Sequence, residues 1–316
     1  MIISASRKTD IPAFFSEWFI NRIREGYVLS RNPMNMHQIS RIPLTPDVVD
    51  CIVFWTKNPA PMLSLLNELK DYRYYFQFTL TGYGKDLEAN LPDKKKILIP
   101  AFQKLAEKIG PEKVIWRYDP IAFNEIYTPE YHLSAYRQIA KALRGYTEKS
   151  VISFVDIYQT KNKTVLDAMK ITTASNKTMY SFASQLYDIA SANGMKIASC
   201  AEKIDLTPLG IEHNSCIDKA LIERICNGRI KVRKDASQRA ECSCVASRDI
   251  GSYNTCLHGC KYCYANYKPE TVRATFAHYD PMSPILCDSV DENSGDKIIP
   301  AKAESLIDKQ IGMNLN

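Results

Sequence analysis

A chain of 316 residues with 45% hydrophobic side chains is large enough for one α/β barrel or two modest domains around a sizeable core. Its formal charge of +6 is mildly basic and falls well short of a protein that coats nucleic acid, so no nucleic-acid partner is established by charge. No apolar run approaches the roughly 18 residues that a membrane-spanning helix needs. Met1 to Lys8 also lacks the basic and apolar regions of a signal peptide. The expectation is a cytoplasmic protein with no membrane partner and with reduced thiols, in which clustered cysteines point to metal or catalysis rather than disulfides.

Short β-branched and aromatic runs alternate with segments of helical period, the pattern of an α/β protein with a parallel (β/α) barrel of TIM or partial-barrel type. The first expected strand is Ile2 to Ser6. Pro12 to Glu25 then places Phe15, Trp18, Phe19 and Ile23 on one helical face, with Gly26 as its stop. Further strands are expected at Val49 to Thr56, Tyr74 to Thr81, Val114 to Asp119 and Val151 to Tyr158. A helix over Lys177 to Asn193 turns Met179, Phe182, Leu186 and Ile189 inward, ends at Gly194 and leads to a sixth strand, Met195 to Cys200. Arg229, Lys231, Arg233, Lys234 and Arg239 lack interleaved aromatics and read as a solvated face. A polar stretch from Asp288 to Asp296 precedes a short peripheral helix, Pro300 to Asp308. The organisation expected is an α/β barrel over 1–240, a cysteine-rich segment over 241–287 that completes it, and a polar tail over 288–316.

In parallel barrels, functional residues gather on the loops at the C-terminal ends of the strands. Here those ends are polar: Ser6-Arg7-Lys8-Thr9-Asp10, Thr56-Lys57-Asn58, Thr81-Gly82-Tyr83-Gly84, Arg117-Tyr118-Asp119, Ser153 to Asp156 and Ser199 to Lys203. Arg117 and Asp156 fall in or beside apolar strands, where an unpaired charge is costly. They are expected either in an ion-pair network or lining a wet cavity. Arg117, Lys57 and Arg7 suit a carboxylate or phosphate, with Arg capable of bidentate contact. Asp10, Asp119, Asp156 and Glu202 suit ribose hydroxyls or a substrate. Arg117, Asp119, Lys57, Asp156 and Glu202 are the candidate catalytic residues, and Arg7 and Asp10 candidate cofactor contacts.

The ten cysteines sort into groups. Cys51 and Cys226 lie on apolar faces and read as core, and Cys287 as incidental in a polar tail. Cys256, Cys260 and Cys263 form C-x-x-x-C-x-x-C, with Tyr262 before the last. Three cysteines in eight residues can hold three corners of a 4Fe-4S cluster and leave one iron open. Structural zinc sites more often pair two C-x-x-C knuckles, so the spacing favours the cluster over zinc. The remaining four, Cys200, Cys216, Cys242 and Cys244, would suffice for a second, fully ligated iron-sulfur cluster or zinc centre, or else include ordinary buried thiols. The five histidines, His37, His132, His213, His258 and His278, form no Ser-His-Asp or metal-hydrolase pattern, and His258 reads simply as a loop residue.

Ile3-Ser-Ala-Ser-Arg-Lys-Thr-Asp-Ile-Pro12, Phe54-Trp-Thr-Lys-Asn-Pro59, Ser199-Cys-Ala-Glu202 and Tyr253 to Asn266 together resemble the bacterial domain-of-unknown-function 1848 family, over residues 1 to about 285. That family name implies no established reaction. The cysteine loop by itself is similar to that of the radical S-adenosylmethionine superfamily, including spore photoproduct lyase. This second resemblance implies Cys256, Cys260 and Cys263 as cluster ligands, Tyr262 packed over the cofactor side of the loop, S-adenosylmethionine as cofactor, and an electron donor such as ferredoxin or flavodoxin. It implies a radical enzyme acting on a small-molecule or unknown substrate. In that superfamily the loop usually lies near the N-terminus, so its place here implies a circular permutation. Val245 to Ile250 would then be the strand before the loop, lying beside the strand at Ile2. No Gly-Gly-Glu-like segment follows the second strand, which leaves the grip on the cofactor's amino group unassigned. Two other readings stand beside this one: a non-catalytic barrel stabilised by zinc or a cluster and acting as a binding module, and a non-radical barrel enzyme with a structural metal.

Overall fold

The computed structural model describes residues 1–155, 163–266 and 268–308. Its strands are β1 (Ile2–Ala5), β2 (Tyr27–Asn32), β3 (Asn35–Pro43), β4 (Cys51–Thr56), β5 (Tyr74–Thr79), β6 (Val114–Ile121), β7 (Lys149–Phe154), β8 (Lys196–Ser199), β9 (Glu212–His213), β10 (Arg248–Asp249) and β11 (Lys297–Pro300). The helices are α1 (Ile11–Phe14), α2 (Ser16–Glu25), α3 (Ile99–Ile109), α4 (Pro129–Leu143), α5 (Lys163–Ala168), α6 (Asn176–Ala192), α7 (Lys219–Cys226) and α8 (Pro269–Phe276).

Eight strands form one parallel sheet in the order β10-β1-β4-β5-β6-β7-β8-β9. Among the described residues its two edges do not pair, so the architecture is a partial, unclosed α/β barrel. The expected strand before the cysteine loop is present in shortened form. Ile3 and Ser4 of β1 pair in parallel with Arg248 and Asp249 of β10, so the last strand of this sheet is laid beside the first.

Successive residues of a strand face opposite sides of a sheet. Ile3, Ile52, Phe54, Phe76, Trp116 and Ile152 face the helices, where they meet Trp18 and Phe19 of α2, Phe102 and Leu105 of α3, Tyr136 of α4 and Phe182 and Leu186 of α6. Ile2, Cys51, Val53, Tyr75, Ile115 and Val151 face the other way. That second face is covered by α7 and by a stretch carrying Ile230, Cys242, Cys244 and Val245. Local signals explain the helix ends. Asp10 caps α1 by accepting from Ala13 N at 2.9 Å, and Gly26 closes α2 at φ 75°, a left-handed conformation that glycine adopts without strain.

Four expectations are corrected. The helix expected over Pro12 to Glu25 is broken at Phe15 into α1 and α2. The tail holds no helix over 300–308, because Ile298 and Ile299 are β-branched and pair with β3 as β11. Together with the β2–β3 hairpin it makes a three-stranded sheet that alternation alone did not reveal. Nor is the tail peripheral throughout, since buried Asp50 accepts from Ser305 Oγ at 2.7 Å and Leu306 N at 2.8 Å. Cys287 is likewise not incidental; it is buried in the main core. The five basic residues from Arg229 to Arg239 are exposed, as a solvated face requires. No helix among the described residues is long and apolar enough to cross a membrane.

Candidate functional site: a cysteine loop at the strand ends

The loop from Cys256 to Cys263 is fastened to the C-terminal ends of the first strands of the sheet by buried polar contacts. His258, inside the loop, is 3% exposed, and its Nε2 lies 2.7 Å from Asp10 Oδ2. The same Asp10 oxygen accepts from Lys57 N at 2.6 Å, at the end of β4, and the Phe14 ring stacks against His258 at 4.6 Å. On the other flank, Lys261 N donates to Leu87 O at 2.9 Å, Asn90 N to His258 O at 3.0 Å and Asn90 Nδ2 to Leu257 O at 2.7 Å. His258 is therefore an anchor of the loop, not a passive member of it. Asp10 serves the same anchor, through helix capping and two further bonds.

Between the loop and the sheet lies a charged cluster. Lys57 Nζ is 2.7 Å from Glu88 Oε1 and 2.8 Å from the Tyr262 hydroxyl, which itself donates to Glu88. Lys94 Nζ reaches the other Glu88 oxygen at 2.6 Å, and Thr81 Oγ1 donates to Oε1 at 2.9 Å. The Glu88 side chain is 1% exposed. Burial works against its charge, yet Lys57 and Lys94 hold the carboxyl down at about 2. Lys57 is raised despite its own burial, because Glu88 and Cys260 lie beside it, with Asp119 also in range. Tyr262 packs at 5.6 Å from Tyr83.

Burial also pushes all three loop thiols up, Cys260 to about 12. Thiols held up in this way lose their protons when a metal cation binds the sulfurs, the protons passing to solvent. The donor set fits a cluster on three counts. All three thiols come from one short loop, and each feels at least one of the others. A backbone N–H, from Ala265, reaches the Cys263 sulfur at 3.4 Å. A buried His258 Nδ1 has no hydrogen-bond partner among the described residues. Among the described residues no three His, Cys, Asp or Glu side chains converge as ligands of a single ion. Thiolates of a cluster each bind a different iron and do not need to.

Arg117, Asp119 and Arg7 are placed differently. Arg117 is 5% exposed and turned to the face opposite the main helices, where it pairs with Asp119 and donates to Cys216 Sγ at 2.7 Å and Gln77 Oε1 at 3.3 Å. Asp119 also accepts from Ser153 Oγ. Arg7 and Arg117 flank the Trp55 ring, 5.5 and 5.4 Å from its centroid. Arg7 N donates to Asp249 Oδ2 at 2.8 Å, and its side chain lies 3.5 Å from Asp235. The Glu202 carboxylate accepts from Phe154 N at 2.7 Å, tying the ends of β7 and β8. Asp156 lies outside the described residues. Thus Lys57, Tyr262 and Asp10 gather at the cysteine loop, whereas Arg117, Asp119 and Arg7 belong to a second network, in which Arg117 donates to Cys216 and Arg7 lies in the field of Cys216 and Cys244.

Three residues of this region carried no sequence signal. Glu88 sits in a glycine-flanked turn and reads as a surface acid. Lys94 reads as one of three consecutive lysines. Asp249 accepts from Ser4 Oγ, Ser6 Oγ and Arg7 N at 3.0, 2.7 and 2.8 Å and so locks β10 to β1.

No curated protein matches the chain. Residues 2–265, from β1 through the end of the cysteine loop, match the family described as domain of unknown function (DUF1848), and the chain belongs to that family.

Proposed function

We propose that the protein is an iron-sulfur enzyme of the radical S-adenosylmethionine type, acting on a substrate whose class is open. The observation that carries the reading is the position of the loop. Three half-buried cysteines of a C-x-x-x-C-x-x-C segment stand at the strand ends, beside Lys57, where a parallel α/β fold presents its chemistry. Cys256, Cys260 and Cys263 would hold a 4Fe-4S cluster with one iron left open. Bound there with S-adenosylmethionine, such a cluster supplies one-electron chemistry that protein side chains lack.

The chain's own residues do the rest. Asp10 and His258 fix the loop so that its thiols are presented together. Lys57 offsets negative charge beside Cys260, and Glu88 holds Lys57 and Lys94 in place, favouring the charge of Lys57 while burial lowers Lys94. Tyr83 and Tyr262 close one side of the site with aromatic surface and exclude water there. Lys57 is the cation best placed to meet a carboxylate or phosphate. The test is release of 5'-deoxyadenosine by anaerobically reconstituted protein given dithionite and S-adenosylmethionine. Product above the level of a Cys256→Ala/Cys260→Ala/Cys263→Ala variant supports the reading, and an intact cluster without product removes it.

A further inference from the structure

The four cysteines outside the loop are scattered in sequence but meet in space. Cys200 follows β8, Cys216 precedes α7, and Cys242 and Cys244 lie in the 227–247 stretch, which contains no helix or strand. Cys200 Sγ and Cys216 Sγ are 3.3 Å apart. Cys244 lies within interaction range of Cys216, and Cys242 of Cys244, so the four run as a chain of neighbouring thiols with the first pair in direct contact.

N–H donors surround them. Arg117 Nη1 reaches Cys216 Sγ at 2.7 Å, Asn214 Nδ2 reaches the same sulfur at 3.2 Å, and Ile217 N reaches Cys244 Sγ at 3.4 Å. Arg7 lies in the field of Cys216 and Cys244, and its buried Nη2 has no hydrogen-bond partner. Neutral thiols are weak acceptors and do not need two guanidinium groups. Four thiolates around a divalent ion carry a net negative charge that two arginines offset, and N–H groups aimed at sulfur are the usual outer support of such a shell.

The covering stretch has its own need. Long segments without secondary structure are uncommon in compact domains unless something holds them. This one buries Ile230, Cys242, Cys244 and Val245 against the sheet. A metal would tie it down as structural zinc sites do elsewhere.

We propose that Cys200, Cys216, Cys242 and Cys244 form a second, structural site that binds a single zinc ion as a four-thiolate shell. The geometry favours one ion over a cluster. With zinc-sulfur bonds of about 2.3 Å, a tetrahedral shell spaces its sulfurs by about 3.8 Å, close to the contact between Cys200 and Cys216. A cubane sets its thiolates on separate irons and spreads them further. No three thiols converge on one point as they stand. Zinc binding closes the chain of contacts into a shell and releases the thiol protons to solvent. The site is independent of the loop at Cys256 to Cys263.

The experiment uses the full chain carrying Cys256→Ala/Cys260→Ala/Cys263→Ala, so that the loop contributes no metal. The expected result is one zinc per chain, released by a mercurial thiol reagent, and a fall of more than tenfold when Cys244→Ser is added. Should that variant fail to fold, alkylation mapping of the parent decides. A chelator is expected to expose Cys200, Cys216, Cys242 and Cys244 together, while Cys51 and Cys226 stay protected. A folded chain without zinc, zinc retained in folded Cys244→Ser protein, chelator-independent labelling, or iron and sulfide in place of zinc would each overturn the proposal.

Discussion

Asp10 and His258 are 248 positions apart in the chain and meet at 2.7 Å, both with side chains no more than 5% exposed. This bond joins the segment after β1 to the middle of the cysteine loop. Because Asp10 also caps α1 and accepts from Lys57 N, one carboxylate sets the loop against two strand ends at once.

Removing either partner should therefore loosen the loop before it unfolds the protein. His258→Ala deletes the bond and the ring contact with Phe14, and leaves a buried carboxylate short of one partner, a loss of about 2–3 kcal/mol. Iron retained after anaerobic reconstitution and desalting is expected to fall several-fold, with the far-UV circular dichroism unchanged. Wild-type iron retention in this variant would show that the anchor does not serve the loop.

Glu88 carries the opposite kind of risk. Glu88→Ala leaves Lys57 and Lys94, with side chains 14% and 22% exposed, without their shared acid. Breaking a buried pair in this way costs about 3–5 kcal/mol. Glu88→Gln keeps the shape and the bond to Thr81 and is expected to lose less. Urea denaturation of the two variants checks the order, and equal stabilities would contradict it, showing that the lost charge accounts for the whole effect and the bond to Thr81 for none.

A third expectation concerns acid. His132 is fully buried, with Nδ1 2.8 Å from the Tyr118 hydroxyl and Nε2 3.0 Å from Ala122 O, and burial lowers it to about 4. The folded protein thus binds this proton less readily than the unfolded chain, whose histidine titrates at 6.5. The contribution is fully present above 6.5 and is lost as pH falls from there toward 4, up to about 3 kcal/mol. Denaturation midpoints of wild type and His132→Gln between pH 7 and 4 measure it, the wild type showing the steeper decline. Parallel declines would contradict the assignment.

The junction of β10 with β1 can be tested by size alone. A Cβ built on Gly251 would lie 2.1 Å from Ser6 Oγ and 2.5 Å from Ser6 Cβ, too close for any rotamer change to relieve. Gly251→Ala is expected to destabilise the protein by about 1–3 kcal/mol, the cost of overpacking. A neutral result in thermal denaturation would mean that β10 does not sit tightly on β1.

Much of the sheet was legible because each strand is a short apolar run between helical segments. The period of Met179, Phe182, Leu186 and Ile189 likewise placed α6 within a residue of its bounds. The hairpin of β2 and β3 was missed because its residues are mostly half-exposed, which leaves no apolar run to see. The cysteine loop announced itself by spacing. Its supports did not, because Glu88, Lys94 and His258 are polar residues outside any apolar run, and only the fold reveals that Glu88 and His258 are buried against the loop and that Lys94 reaches Glu88. The meeting of the Cys200–Cys216 pair with Cys242 and Cys244 depends on how the 227–247 stretch lies across the sheet, which no local pattern encodes.

The central claim is that the loop of Cys256, Cys260 and Cys263 holds a cluster. Iron and acid-labile sulfide counted after anaerobic reconstitution, in wild type and in Cys256→Ala/Cys260→Ala/Cys263→Ala, test it most directly. The account predicts brown wild-type protein with about four irons and four sulfides, and a colourless triple variant that keeps its fold. Wild-type protein that stays colourless, or a triple variant that keeps its iron and sulfide, would contradict it.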